Sequence, residues 1–486
     1  MVDSSKKQFV NGVIYTALSK YMGVIMTLVI SAILARLISP SDFGIAAVAT
    51  VLITFFGIFS NFGIGPAIIQ KSALTKSDLD SIFTFTIYLG IFISLIFFFS
   101  SNIIAAYYEK EILVNICRLL SINLFFASVN IVPNALLLRA KKFKIIAYRT
   151  IILQLIGGIF SIWAAYAGWG VYALLINPIF SSIGLFVFNY IQYPQKIVFK
   201  IKWQSLKIIA SFSIYQFLFN FINYFSRNLD KLLIGKYLNM DLLGYYDKSY
   251  RLMILPIQNL THIITPVMHP VFADFQDDLK RLSSSYMKVI HLLALIGFPL
   301  SIFLFFSARE LILLVFGDQW DAAVPVFKIL SFSVGIQVVL STSGSIFQAS
   351  NSTKYLFTTG LVAAILNIIG LCIGLFYFES LNAIAWAFDI TFFTNFLIIY
   401  YVMFKSVFNQ SIKIFAREFV SPLILTGLIS VSLYIANICL DDTLLLVSFI
   451  AKASVFGIVM LCYIQLKKEY DLIGLLKKYV KKYFNK

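Results

Sequence analysis

Charged residues are scarce in this 486-residue sequence: Asp, Glu, Lys and Arg together make up 13% of it, whereas about 25% is usual in a soluble protein. Hydrophobic residues reach 60%, and the mean hydropathy is +0.89. Such a chain lacks the polar residues needed to cover a soluble globule, so the soluble classes are excluded. The composition indicates a polytopic membrane protein.

Motifs for catalysis and metal binding are also missing. The sequence contains no GxxxxGK[ST], HExxH or GxSxG pattern, and its longest polar break, about 271–285, is too short for a catalytic domain. The four cysteines lie in or beside apolar runs without CxxC spacing, and the three histidines suggest no ligand set. We therefore expect no enzyme activity, no cofactor and no metal site.

Apolar runs fill most of the chain. Fourteen of them are long enough to cross a hydrocarbon core of about 30 Å as a helix. They lie at about 9–37, 43–69, 81–104, 112–138, 145–166, 170–193, 207–235, 242–268, 286–306, 323–348, 355–377, 381–404, 418–438 and 443–465. The predicted fold class is an all-α polytopic membrane protein with about 14 transmembrane helices.

Lysine and arginine are concentrated in alternate connections between these runs. If the N-terminus is cytoplasmic, the basic segments 139–149 and 196–207 and the C-terminal tail are cytoplasmic too. The positive-inside rule then predicts that both termini are cytoplasmic. The tail, 466–486, is predicted to form an amphipathic basic helix on the cytoplasmic leaflet. This topology accounts for the net charge of +17 without a nucleic-acid partner, since no basic soluble face exists.

An internal repeat is visible at an offset of about 200 residues. ILARLISPSDFGI at 33–45 aligns with LIGKYLNMDLLGY at 233–245, and CRLLS at 117–121 aligns with FKILS at 327–331. Halves with an even number of spans have the same orientation, so they are expected to enclose a central cavity. The predicted domains are two pseudo-symmetric six-helix lobes, extra helices 13 and 14, and the tail, at 1–200, 201–410, 411–465 and 466–486.

Charge inside the predicted spans is concentrated where spans seven and eight meet, at Arg227, Asp230, Lys231, Asp247, Lys248 and Arg251. An ionised side chain at the centre of a bilayer costs about 2.5–3.5 kcal/mol on insertion scales, which makes this cluster a candidate functional site. Spacing allows Asp230 to pair with Arg227 or Lys231, and Asp247 with Arg251. Two bases are left over, and they suit an anionic ligand, for which arginine offers bidentate phosphate contact.

Two further charges lie in the middle of predicted spans. The positions of the first half that align with the cluster are uncharged, which favours a role for the cluster that is peculiar to the second half. Lys20 is the lone mid-span base of the first half and a candidate for the same cavity. Asp389, in WAFDITFF, has no neighbouring base. A carboxyl in apolar surroundings can bind and release a proton, so Asp389 is a candidate for coupling transport to an ion gradient, together with Asp230 and Asp247.

Several segments resemble one family. LARLISPSDFGI, NALLLRAKKFK, RNLDKLLIGKYL, LGYYDKSYRLMILPIQNL, PVFADFQDD and FGDQWDAAVPVFKILS are similar to the polysaccharide flippases of the multidrug, oligosaccharidyl-lipid and polysaccharide exporter superfamily, in the branch for colanic, teichuronic and similar polysaccharides. The resemblance implies a bacterial inner-membrane flippase that moves an undecaprenyl-pyrophosphate-linked oligosaccharide by alternating access. Its pyrophosphate would bind the bases Arg227, Lys231, Lys248, Arg251 and Lys20.

Other functions remain open on sequence alone. A multidrug cation antiporter of related architecture would require surplus carboxylate rather than surplus base, and the sequence motifs favour a peptidoglycan lipid II flippase less. A membrane polymerase or ligase of lipid-linked glycans would carry a sizeable extracytoplasmic loop, which is not predicted here. The expected partners are the lipid-linked substrate and membrane lipids, with a polysaccharide polymerase and a chain-length regulator as candidates.

Overall fold

The computed structural model describes residues 2–71, 74–199, 201–273, 275, 278–440, 443–467 and 469. These residues form helices and no strand. The α-helices are α1 Val2–Leu37, α2 Pro40–Asn61, α3 Ile64–Gln70, α4 Lys76–Tyr108, α5 Ile112–Val129, α6 Ile131–Arg139, α7 Phe143–Tyr166, α8 Val171–Gln192, α9 Trp203–Tyr237, α10 Met240–Ala273, α11 Leu279–Phe306, α12 Ala308–Phe316, α13 Val324–Ser331, α14 Val334–Leu340, α15 Ser343–Ala349, α16 Thr353–Cys372, α17 Leu381–Val402, α18 Ile412–Arg417, α19 Val420–Cys439 and α20 Leu445–Leu466. A 3₁₀ helix, Asp318–Ala323, precedes α13, and short π-helical segments follow α16 and α17.

Membrane-length helices dominate the described part of the chain. Eleven helical segments there are long and apolar enough to cross a bilayer, and Asp318–Ser331 with Val334–Ala349, bent by 47°, could form a twelfth span. The all-helical, multi-pass class is therefore confirmed. The helices α9 and α10, of 35 and 34 residues, are long enough to cross but carry the charge cluster. A total of fourteen requires both to cross and stays a prediction.

The helix boundaries support the internal repeat. Helices in the second half begin or end 200 or 210 residues after their counterparts in the first. The matched boundaries are Leu37 with Tyr237, Pro40 with Met240, Phe143 with Thr353, and Val171 with Leu381. The local signals that stop and start helices are therefore repeated along the chain.

By internal contacts the chain forms two compact units, 1–244 and 245–486. The boundary falls within α10 because α9 packs against α2, α3 and α4 of the first unit. The predicted lobes describe the sequence repeat, and their arrangement stays a prediction. The tail beyond residue 469 lies outside the described residues.

Aromatic rings hold α9 to α2 in the first unit. Phe55 lies within about 6 Å of three rings on α9, with centroid distances of 6.1 Å to Phe221, 5.3 Å to Tyr224 and 5.9 Å to Phe225. The Tyr224 hydroxyl donates to the Val51 carbonyl at 3.1 Å. Aromatic pairs of this kind stabilise a contact beyond the area they bury.

Two repeat-related glycines allow the closest backbone approach in the first unit. Gly44 of α2 faces the carbonyl of Met240, and Gly244 faces the carbonyl of Pro40. A Cβ atom on either glycine would overlap that backbone oxygen, which cannot turn aside as a side chain could. The first turns of α2 and α10 can therefore pack together only while both positions lack a side chain.

In the second unit, α19 and α20 pack on α11 through an apolar cluster that includes Leu295, Leu425, Ile429, Leu433, Tyr463 and Ile464. A buried ion pair joins α20 to α12, where the Lys452 ammonium donates to Glu310 Oε1. It also donates to Asn437 Oδ1 at 2.7 Å and to the Phe306 carbonyl at 3.0 Å. A buried ion pair is tolerated when such additional hydrogen bonds satisfy it.

The segment after α20 is attached to the second unit through His291. Its Nε2 lies 2.9 Å from Glu469 Oε2, and its Nδ1 lies 3.0 Å from the Glu418 carbonyl oxygen. Burial raises the pKa of Glu469, but hydrogen bonds from Ser421 and His291 outweigh this, so its pKa is lowered from the usual value. The described part of the tail therefore begins against α11 and α19.

We predict that Gly244→Ala lowers the free energy of unfolding by about 1–3 kcal/mol, because the new methyl group forces two backbones apart. Gly57→Ala is the matched control, since Gly57 also lies in a helix and no atom would approach its Cβ within 4 Å. The control should be neutral or stabilising by up to about 1 kcal/mol. Thermal unfolding of the detergent-purified proteins measures both. Equal midpoints for Gly244→Ala and the unsubstituted protein would show that the two helices do not approach so closely.

Candidate functional site: a charged face of α10 and a buried carboxyl of α17

The predicted site residues divide between the two compact units. Lys20 on α1 and Arg227, Asp230 and Lys231 on α9 belong to the first, and Asp247, Lys248 and Arg251 on α10 and Asp389 on α17 belong to the second. In the first unit, Lys20 and Arg227 are exposed, Lys231 is half-buried and Asp230 is buried. Whether the two sets line one cavity stays a prediction.

The predicted pairing of Asp247 with Arg251 is confirmed. Arg251 Nε lies 2.7 Å from Asp247 Oδ2, one helical turn away. The Asp247 side chain is 6% exposed, whereas that of Arg251 is 55% exposed. Within the described residues the guanidinium has no other hydrogen bond, so the donors of its two terminal nitrogens are available. Asp247 thus fixes an arginine that can still bind an anion.

Lys248 follows Asp247 on α10 and is 3% exposed. Its ammonium lies 5.2 Å from the ring centroid of Phe316 and 5.8 Å from that of Trp320. Aromatic faces attract a cation, more strongly where water is excluded. The structure therefore holds Lys248 among aromatic rings, with its side chain away from the surface.

The tyrosines beside the cluster pack between helices. Tyr246 is fully buried, stacks on Tyr250 with centroids 5.9 Å apart, and contacts Phe388 of α17 at 6.4 Å. Tyr245 meets Trp320 edge-on at 5.8 Å. These contacts fix α10 against α17 and the 3₁₀ helix, so the charged face of α10 is rigidly placed.

Asp389 follows Phe388 on α17 and is 7% exposed. Neither carboxyl oxygen has a hydrogen bond among the described residues. Ser333 is close enough to interact with the carboxyl, but its hydroxyl donates to the Leu330 carbonyl at 2.9 Å. A buried carboxyl with no fixed donor can accept a proton or another cation without breaking a hydrogen bond of the chain.

Polar side chains lie between α14 and the break that precedes it, near Asp389. Gln337 of α14 donates through Nε2 to Ser333 Oγ at 3.0 Å and contacts Met253 Sδ at 3.7 Å. Ser333 lies in the break between α13 and α14, where the bent span leaves its helical path. Irregular backbone at membrane depth occurs where it lines a protein interior or a polar cavity.

Sequence patterns alone do not identify Ser333, Gln337 or Glu310 as functional candidates. Polar residues two and six positions after Ser331 interrupt an apolar run, which is a weak signal for a broken span. Glu310 lies near a predicted outer connection, and nothing in the sequence connects it with Lys452, 142 positions away. Both arrangements depend on tertiary packing.

The sequence has relatives in polysaccharide synthesis. A family model described as "Polysaccharide biosynthesis protein" matches residues 33–325. The chain is 25% identical over 427 residues to the teichuronic acid biosynthesis protein TuaB of Bacillus subtilis (strain 168), covering 87% of this chain and 88% of the relative. It is 24% identical over 425 residues to the lipopolysaccharide biosynthesis protein WzxC of Escherichia coli (strain K12), covering 84% of each.

Among solved structures, the fold is similar to that of the lipid II flippase MurJ in an inward closed conformation. The TM-score is 0.72 at 17% sequence identity, with 96% of this chain and 100% of that chain covered. At this identity the similarity concerns the fold alone.

We predict that Asp389→Leu leaves thermal stability unchanged or raises it, because the described structure contains no hydrogen bond for it to break. Asp80→Leu is the matched control: Asp80 is also 7% exposed, but its Oδ1 accepts from the Lys196 backbone N–H at 2.9 Å. Losing that acceptor should cost about 1–3 kcal/mol. Melting curves of both variants decide the point. If Asp389→Leu is destabilised as much as Asp80→Leu, Asp389 is a structural residue.

Proposed function

We propose that this chain, which belongs to the polysaccharide biosynthesis protein family, is a flippase. Its substrate is an undecaprenyl-pyrophosphate-linked oligosaccharide repeat unit, which it moves across the bacterial cytoplasmic membrane for assembly of a surface polysaccharide. An ion gradient drives the cycle by alternating access.

The relatives and the fold support this proposal. The named relatives take part in teichuronic acid and lipopolysaccharide biosynthesis, and the solved structure of similar fold is a flippase for lipid II. A transporter of lipid-linked glycans accounts for both the relatives in polysaccharide biosynthesis and the similarity in fold to a lipid flippase.

The observation that carries the substrate assignment is the Arg251 pair. A carboxylate that binds Nε leaves the terminal edge of the guanidinium facing outward, and this edge can donate two parallel hydrogen bonds to phosphate oxygens. The side chain is 55% exposed, so a ligand can reach it without unpacking the helix. A pyrophosphate bound there would gain from Lys248 as well, because the field of a buried cation is weakly screened.

The other predicted bases extend the same role. Lys20, Arg227 and Lys231 would contact the diphosphate at other stages of transport or attract it to the protein. Two of the three neighbouring ionisable residues Asp247, Lys248 and Arg251 are bases. This excess of base disfavours a multidrug cation antiporter, because a cationic substrate would be repelled.

Coupling to the ion gradient is assigned to Asp389. Its carboxyl oxygens, which accept no hydrogen bond among the described residues, can take up a proton, and the neighbouring Phe388 contacts Tyr246 of α10, so a change at Asp389 can reach that helix. Asp247 is occupied in orienting Arg251. Asp230, buried on α9, is the second candidate for coupling.

We predict that Arg251→Ala reduces polymer export by roughly ten- to a hundredfold, since each charge-assisted hydrogen bond contributes about 1.5–3 kcal/mol. Arg251→Lys keeps the charge but loses bidentate contact, and should have intermediate activity. The exposed Arg417 gives a control, Arg417→Ala, that should export normally. Export is measured by complementation of a deletion strain at matched protein levels. Full export by Arg251→Ala would rule out the anion site. Separately, the lipid-linked glycan that accumulates in the deletion strain identifies the substrate.

We also predict that Asp389→Asn removes the response of transport to an imposed gradient. In proteoliposomes, the unsubstituted protein should flip a fluorescent lipid-linked oligosaccharide faster when a proton or sodium gradient is applied. The asparagine variant should be slow and insensitive to the gradient, because an amide cannot bind a proton or a sodium ion as a carboxylate does. Asp80→Asn should keep the response. A gradient response that survives in Asp389→Asn would transfer the coupling role to another acid, with Asp230 the next to test.

A further inference from the structure

A second charged region lies in the second unit, apart from the α10 face. It is a cavity of about 210 Å³ enclosed by residues of α11, α12, α13, α19 and α20. Its polar lining consists of Arg309, Glu310, Lys328, Asn437, Thr443, Ser448 and Lys452. The proposed transport function assigns no role to this cavity.

The cavity lies where three membrane-length helices begin or end. Its walls come from the end of α11 at Phe306, the end of α19 at Cys439 and the beginning of α20 at Leu445. Beside it, Leu444 and Leu446 are 78% and 57% exposed, as expected for side chains that face lipid. Under the predicted topology this is the outer surface, where the headgroups of the outer leaflet lie.

The charges are arranged in two layers. Arg309 and Lys328 are exposed side chains at the opening, and the Lys328 ammonium rests 4.7 Å from the ring centroid of Phe305. Below them, Lys452 and Glu310 form the buried pair, and Ser448 donates to Glu310 Oε1 at 2.6 Å. Since Lys452 neutralises Glu310, Arg309 and Lys328 are the surplus cations among the described residues of the lining, and they can attract an anion.

Glu310, in the buried part of the cavity lining, can accept one more hydrogen bond. Glu310 is 5% exposed, and its Oε2 accepts no hydrogen bond within the described part of the chain. An acceptor in this state is satisfied by a ligand that carries a donor, such as an ammonium or a hydroxyl, next to its anionic group. Asp441 and Asp442, which connect α19 to α20, lie outside the described residues.

The size of the cavity restricts the ligand. At about 210 Å³ it is smaller than the roughly 300–1,000 Å³ of pockets for drug-sized molecules, so an oligosaccharide does not fit. We infer that this interfacial cavity binds a phosphate group with an adjacent hydrogen-bond donor, as on the headgroup of a membrane phospholipid, with Arg309 and Lys328 on the phosphate. Such a lipid would sit between the last two helices and α12 and hold them together at the membrane surface.

Native mass spectrometry of the purified full-length protein tests this inference. The probes are phosphatidylethanolamine, diacylglycerol, which lacks phosphate, and inorganic phosphate. Phosphatidylethanolamine should bind the unsubstituted protein, and its affinity should fall on the order of tenfold or more in the double variant Arg309→Ala, Lys328→Ala, since two charge-assisted contacts are lost. Diacylglycerol should bind weakly to both.

Two variants control for charge and folding. Lys354→Ala with Lys413→Ala removes the same charge from exposed positions on α16 and α18 and should bind phosphatidylethanolamine normally. Arg309→Lys with Lys328→Arg keeps both charges and should retain binding. Melting curves confirm that each variant is folded.

The outcomes separate the two sources of phosphate. Loss of phosphatidylethanolamine in the alanine variant alone supports a lipid ligand. Charge-dependent binding of inorganic phosphate without phosphatidylethanolamine supports the same chemistry with free phosphate as the ligand. The inference is overturned if the alanine variant binds both probes as well as the unsubstituted protein does, or if diacylglycerol binds as tightly as phosphatidylethanolamine.

Discussion

The hydrocarbon interior of a membrane supplies no hydrogen-bond partners, and this constraint determines where the chain places its charges. Backbone groups are satisfied within helices, which is why the described residues contain helices and no strand. A charged side chain must find its partner inside the protein or lie where a ligand or water can reach it. Lys452 takes the first course, with Glu310, Asn437 and a main-chain carbonyl around it. Arg251 takes the second, with one carboxylate and an exposed guanidinium edge.

Local sequence signals predicted the features that depend on neighbours along the chain. Helix ends recur at an offset of 200 residues because the same pattern recurs there, as at Leu37 and Tyr237. The contact between Asp247 and Arg251 follows from helical spacing alone. The membrane class follows from composition. Helix ends and the Asp247–Arg251 contact depend on residues that are close along the chain, and composition depends on no contact at all, so none of these predictions requires knowledge of packing.

The features that sequence did not reveal depend on packing between distant segments. Glu310 and Lys452 are partners because α12 and α20 pack side by side, and neither residue has a local pattern that indicates the other. The role of Lys248 in binding a ligand stays a prediction, but its contacts with Phe316 and Trp320 could not be foreseen from its neighbours along the chain. The surroundings of Asp389 depend on a bend between α13 and α14, for which the polar residues in the apolar run give only a weak signal. The boundary of the compact units at 244 likewise reflects the packing of α9 on α2.

Under the proposed function, the contrast between the two ion pairs explains how one membrane protein can use charge both for stability and for transport. An ion pair enclosed on all sides is strong because little water screens it, and a ligand cannot displace either partner without exposing a buried charge. Lys452 and Glu310 are 2% and 5% exposed, so their pair is fixed. In the Arg251 pair only the carboxylate is enclosed. Under the proposed function the guanidinium would exchange water for phosphate oxygens while Asp247 still holds it, and this intermediate state suits a transport site, because a substrate that is bound must also be released on the other side of the membrane.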